Sequence, residues 1–399
     1  MTMERRLVLA AAVLAAACGS SGESATPPSS APPTTTAPAA PPAIPDPAPA
    51  QALGGLAALS PAHFDAAQAA VGRRLFFDTR LSGDGTLNCA TCHDPGHGGA
   101  EPRRVSTGIH GQQGPINAPT VLNAANNFVQ FWDGRAASLE DQAAGPVANP
   151  LEMGAEWPTV VSTLATDEGY RASFTALYPG DAAPVTQDHI THAIAEYERS
   201  LVTPGRFDRF VGGDASALTE DERRGYALFT SVGCSSCHNG ANVGGGTYQR
   251  MGLVHDYFAN VGRPLTDADN GRFNVTHQEA DRHMFKVPSL RNIALTAPYF
   301  HDGSAETLEA AIRTMADVQL GRELSDEQVR LIAAFLGALT GELPAEAQPP
   351  EGMVVAPPPP VPGEGTISAA DPAAPADPAA PAAEPTGGIG MGAVGTLGS

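Results

Sequence analysis

A chain of 399 residues, 42% of them hydrophobic, is long enough for two ordinary domains plus tails. Its formal net charge of −20 argues against a nucleic-acid partner and fits a neutral or basic one, or a surface adapted for solubility or salt. Of the 37 prolines, 23 crowd into Ser24–Pro49 and Pro344–Pro385, where large apolar residues are almost absent; such stretches cannot bury enough surface to offset chain entropy, so residues 19–51 are expected to form a disordered linker and 344–399 a disordered tail.

In chain order, Arg5 and Arg6 precede the apolar run Leu7–Ala17, which is too short for a resident span and ends in Leu14-Ala15-Ala16-Ala17-Cys18-Gly19. Residues 1–18 therefore predict export to the periplasm or cell envelope. They resemble a bacterial lipoprotein signal, in which Cys18 carries a lipid anchor, although Ala15 stands where such signals usually have Leu. Plain secretory cleavage is the alternative. The Pro-rich stretch that follows suits a tether.

Phe64, Ala67, Val71 and Leu75 repeat at helical spacing within Ala62–Phe77. Next comes Cys89-Ala90-Thr91-Cys92-His93. Further on, Thr219-Glu220-Asp221-Glu222 is a capping box opening a helix through Tyr226 and Phe229, which leads to Cys234-Ser235-Ser236-Cys237-His238. Cys-x-x-Cys-His is the attachment pattern of c-type haem. Two thioethers reach the two vinyl groups on one porphyrin edge, and the following histidine, His93 or His238, binds the iron. A disulfide framework needs no histidine after each pair. A zinc site built from both pairs leaves two histidines unexplained. A thioredoxin-like motif wants a strand–helix context. The motifs lie about 145 residues apart, which implies one haem per domain, with boundaries at 52–212 and 213–343. A second capping box, Ser325 to Gln328, opens a closing helix through Leu331, Ala334, Phe335 and Leu339, with Gly341 as its stop. Strand-like runs are few. The expected fold is mainly α: two cytochrome c-like haem domains with long loops, flanked by disordered tails.

The loops carry a composite signature. It runs Ile109-His110-Gly111-Gln112, Asn117-Ala118-Pro119-Thr120, Gln130-Phe131-Trp132-Asp133-Gly134-Arg135, Ser138-Leu139-Glu140-Asp141-Gln142 and Asn149-Pro150-Leu151-Glu152-Met153, then Val287-Pro288-Ser289-Leu290-Arg291-Asn292 and Leu295 to Gly303. In unbroken order from about Ala62 to Gly341, the chain resembles the bacterial diheme cytochrome c peroxidases and their MauG-type relatives. The resemblance implies reduction of hydrogen peroxide, with electrons from a small donor, a cytochrome c or a blue-copper protein. His93 would hold the low-potential, peroxide-binding haem. His110 would occupy its sixth position at rest and leave on activation. Glu152 would be the distal acid/base, Gln142 its polar neighbour and Trp132 a relay between the haems. His238 and Met315 would ligate the high-potential haem, a thioether favouring ferrous iron. Met315 also shares a helical face with Leu308 and Ile312 and so reads equally as core, and Met251 and Met284 are within range. The resemblance further implies calcium held by Asn117 and the carbonyls of Thr296 and Pro298, and homodimers are usual in the family. By residue type alone, Glu152 and His110 are ordinary loop residues, and Trp132 ordinary core. His97, His189, His192, His255, His277 and His283 have no motif support. Two rival functions stand beside peroxide reduction. A MauG-type protein-modifying oxidase replaces the methionine ligand by tyrosine, for which Tyr299 is the local candidate. A diheme electron carrier has no use for Glu152.

Overall fold

The computed structural model describes residues 41–361 apart from Ala62. The signal, Cys18, the first part of the linker and the tail from 362 lie outside the described residues. The helices are α1 Ala66–Phe76, α2 Leu139–Ala148, α3 Trp157–Thr166, α4 Glu168–Leu177, α5 Gln187–Ser200, α6 Arg206–Val211, α7 Glu220–Val232, α8 Phe273–Thr276, α9 Leu308–Leu320 and α10 Asp326–Gly337. Two short antiparallel strands, β1 Tyr248–Arg250 and β2 Met284–Lys286, pair Tyr248 with Lys286. The expected mainly helical fold with long loops is what the chain adopts.

Two hydrophobic cores share one plan. In the first, α1 crosses α5, and Leu75, Phe76, Tyr170, Phe174, Ile190 and Tyr197 fill the space between the elements. In the second, α7 crosses α10 around Tyr226, Phe229, Leu331, Ile332 and Phe335. Both crossings need a glycine. A Cβ on Gly72 would stand 1.8 Å from the Ala193 carbonyl oxygen, and one on Gly225 would stand 1.9 Å from that of Leu331. Backbone thus packs against backbone, which only a residue without a side chain permits.

The caps explain where the helices start. Asp65 accepts the Ala67 and Gln68 amides, so α1 begins at Ala66 and leaves Phe64 exposed ahead of it. Both expected capping boxes, Thr219/Glu222 and Ser325/Gln328, are formed. The closing helix ends at Gly337, four residues before Gly341. Gly341 serves a different purpose: a Cβ there would lie 1.9 Å from the Thr203 carbonyl oxygen, so it lets two chain segments touch.

The disorder expected for 19–51 and 344–399 is corrected where those residues are described. Ala48 is buried in the second core, where Ala50 also packs, and the Ala48 N–H donates to the Arg223 carbonyl at 3.1 Å. Ala347 is buried in the first core, where Met353 and Val355 also pack. The Asn88 amide donates to the Val354 carbonyl at 2.9 Å, and Arg73 Nε to the Gln348 carbonyl at 2.9 Å. Composition misled here because proline-rich chain has less entropy to lose on ordering, and its backbone groups find partners on a body already folded. The N-terminal strap therefore lies on the second core and the C-terminal strap on the first. In addition, Phe207 and Phe210 of α6 belong to the second core, which begins before residue 213.

Candidate active site

Each Cys-x-x-Cys-His motif forms a single tight turn after its helix. Asn88 caps Cys89–Thr91, accepting the Thr91 amide, and the His93 N–H donates to the Cys89 carbonyl at 3.0 Å. The second turn, Cys234–Ser236, repeats this with His238 donating to Cys234 at 3.0 Å. The four motif cysteines are not joined by disulfides; each pair instead lines a cavity with the histidine that follows it. Burial pushes the Cys89 and Cys234 thiols up to about 12. The zinc alternative fails on geometry, because the two motifs line separate cavities.

Those cavities have the chemistry that covalent haem requires. The first is lined by Cys89, Cys92 and His93, the second by Cys234, Cys237 and His238. Both histidines are half-buried, each with a buried Nδ1 that has no hydrogen-bond partner. Burial lowers the pKa of each, that of His238 to about 4, so both rings are neutral, as a metal ligand must be. Thioether-forming thiols, a neutral imidazole and a mostly apolar wall fit one haem in each cavity.

The other candidates distribute unequally. Glu152, Gln142 and Trp132 line the first cavity. Glu152 accepts from the Asn149 amide at 2.8 Å, and burial raises its carboxyl pKa above the ordinary value. Its loop is fixed by the Ile109 N–H donating to the Glu152 carbonyl at 2.8 Å. Met315, on α9, lines the second cavity, as does Met251; Met284 does not. Trp132 lines both cavities, and its indole N–H donates to the Asn117 carbonyl at 2.9 Å. Asn117, Thr296 and Pro298 line the second cavity together. The Asn117 amide nitrogen donates to the Arg103 carbonyl at 3.0 Å, which turns Oδ1 the other way. His110 is not brought to the cavity wall. Its backbone has φ +59°, its side chain is 66% exposed, and Nδ1 lies 3.6 Å from Asp84.

Sequence reasoning missed several buried polar residues. Glu198 on α5 lines the first cavity, and burial pushes its carboxyl up to about 8. His301, in the wall of the second cavity, meets Asp269 at 2.8 Å, and Asp269 is held in turn by Arg263. Arg291, 1% exposed, forms a two-pronged pair with Asp208 at 2.9 and 3.0 Å. A glutamate amid the apolar face of a helix was the available signal for Glu198. The others depend on distant segments meeting.

Residues 66–216 match the family described as di-haem cytochrome c peroxidase. A cytochrome c551 peroxidase of Nitrosomonas europaea is 49% identical over 288 residues, covering 72% of this chain and 83% of that protein. The chain belongs to the di-haem cytochrome c peroxidase family. It is accordingly an oxidoreductase that carries two c-type haems. A methylamine utilization protein MauG of Methylophilus methylotrophus is also similar, at 34% identity over 69% of this chain and 82% of that protein. Among solved structures, a MauG-like protein associated with microbial copper homeostasis aligns with a TM-score of 0.64 at 30% identity, covering 73% of this chain and 95% of that one. In this di-haem peroxidase, no helix among the described residues is long and apolar enough to cross a membrane.

Proposed function

We propose that the protein reduces hydrogen peroxide to water at the first cavity, drawing electrons through the second from a small soluble redox protein. The carrying observation is the inequality of the two cavities: the carboxyl groups of Glu152 and Glu198 line the first, no carboxyl group lines the second, and Trp132 stands in the wall of both. When bound, the haems supply the redox chemistry. His93 and His238 would each ligate one iron, and Cys89, Cys92, Cys234 and Cys237 would attach the porphyrins. Met315 is the proposed sixth ligand in the second cavity.

Glu152 is the proposed proton shuttle. Heterolysis of the peroxide O–O bond sends both bond electrons to the departing oxygen, which must gain a proton to leave as water, and a carboxyl that holds a proton more readily than usual can take one from the peroxide and return it to that oxygen. The Asn149 amide holds that carboxyl in place, and Gln142 offers a neighbouring amide. His110, turned toward Asp84, leaves room for peroxide; its return to the cavity is the proposed resting state. Trp132 offers an aromatic bridge between the cavities. Asn117 and the Thr296 and Pro298 carbonyls, all oxygen donors, suit a calcium ion between the two halves.

A protein-modifying oxidase is the weaker alternative. Its tyrosine ligand would have to be Tyr299, which lines the second cavity, but that hydroxyl donates to the Ile293 carbonyl at 3.1 Å and the ring packs in a hydrophobic cluster. Export to the periplasm or cell envelope, a lipid anchor at Cys18 and dimerisation remain part of the proposal. Steady-state oxidation of a reduced cytochrome c or blue-copper protein by peroxide tests the function. Sustained turnover is expected, and a haem-loaded, calcium-replete, half-reduced sample that consumes no peroxide would refute it.

A further inference from the structure

Lys286 is the only lysine in the 399-residue sequence; every other residue of the 23 counted as Lys or Arg is arginine. Lysine side chains are almost always found in water. This one is 4% exposed, at the end of β2, in the wall of the second cavity. No Asp, Glu or Arg lines that cavity with it. Among the described residues, its ammonium has neither an ion-pair nor a hydrogen-bond partner. Burial alone acts on it, pushing the ammonium down to about 8. A buried cation without a counter-charge is costly enough that an anion is expected beside it.

The first cavity is the opposite case: Glu152 and Glu198 line it with one cation, Arg135. Arg135 is already engaged by Asp133 at 3.1 Å and sits over the Phe131 ring. The protein therefore places an uncompensated positive charge beside one site and carboxyl groups beside the other. A haem brings two propionates of its own, and the second cavity is where its motif holds one.

We propose that Lys286 is the counter-charge for a propionate of the haem held by Cys234, Cys237 and His238, and that its ammonium raises the reduction potential of that haem. A nearby cation opposes the extra positive charge of ferric iron, so it favours the ferrous form. The backbone joins this residue to the relay: the Lys286 N–H donates to the Trp132 carbonyl at 2.8 Å. An ammonium is a compact charge on a flexible four-carbon stem, and the broader guanidinium keeps the charge but not that reach. The inference rests on the second cavity holding haem; it does not require that the enzyme reduce peroxide.

The test is spectroscopic titration of both potentials in haem-loaded Lys286→Met and Lys286→Arg. The methionine variant is expected to lower the potential of the haem at His238 and leave that at His93 in place, and the arginine variant to restore part of the loss. Unchanged potentials in both variants would overturn the proposal. A second measurement needs no variant. Holoprotein labelled with ¹⁵N-lysine has one side-chain resonance, expected to stay that of a charged ammonium well above pH 8; titration near 8, the behaviour of the unpaired group, would overturn the proposal. Peroxide turnover assayed on the same unmutated sample judges the catalytic proposal separately.

Discussion

Replacing Glu152 by glutamine tests the proton shuttle with two readouts of opposite sign. The variant keeps the shape of the site. A glutamine oxygen can still accept the Asn149 amide now at 2.8 Å, and the backbone bond from Ile109 to residue 152 is untouched. What disappears is the exchangeable proton. A positioned acid/base of this kind contributes about 10²–10⁴ in rate, which is about 3–5 kcal/mol of barrier. Glu198 shares the cavity but is paired by proximity with Cys89 at the attachment edge, so it is not expected to make good the loss. Turnover should fall about 10²–10⁴-fold while haem content, spectra and peroxide-free reduction of both haems stay as they were. Stability should move the other way. Burial raises the Glu152 pKa in the folded protein, so the unfolded chain ionises first and stability is lost as pH rises above the ordinary carboxyl range. Glutamine removes that penalty. The variant should match the parent in acid and exceed it at neutral pH in denaturant melts. Turnover within about threefold of the parent would end the role of Glu152 as shuttle, since that is far below the weakest acid/base contribution.

Other substitutions probe separate parts of the argument. Asp208→Asn leaves Arg291 buried without its anion, although the Leu59 and Gly205 amides also bond to that carboxylate; a loss of about 3–5 kcal/mol is expected in denaturant melts, and a loss below about 1 kcal/mol would contradict it. Glu198, pushed up to about 8, costs stability progressively as pH rises from the ordinary carboxyl range through 8; Glu198→Gln should flatten that slope in haem-loaded protein, and an unchanged slope would show that haem supplies the carboxyl with a partner. Met315→Leu preserves packing volume and should remove the absorption of a thioether-ligated ferric haem and lower only that haem's potential. Retention of the band would transfer the ligand role to Met251, which lines the same cavity.

The sequence made the attachment chemistry legible because covalent chemistry is local: two thiols and a histidine must be neighbours in the chain. The capping boxes at Thr219 and Ser325 were legible for the same reason. Glu152 and Trp132 were visible only through resemblance, since their roles depend on which cavity a loop turns toward. Lys286, Glu198 and the Arg291–Asp208 pair left little trace, because burial and pairing across 83 residues are properties of the folded chain. The straps were misread because composition measures what a segment can bury by itself, not what it can lie against.

The crossed straps bear on biosynthesis. Asn88, which caps the first haem-binding turn, also donates to Val354 and accepts from the Ala356 amide at 3.4 Å. That turn cannot complete its hydrogen bonds until some 265 further residues have left the ribosome, as the separation between Asn88 and Val354 dictates. The second turn, whose strap was made first, has no such wait.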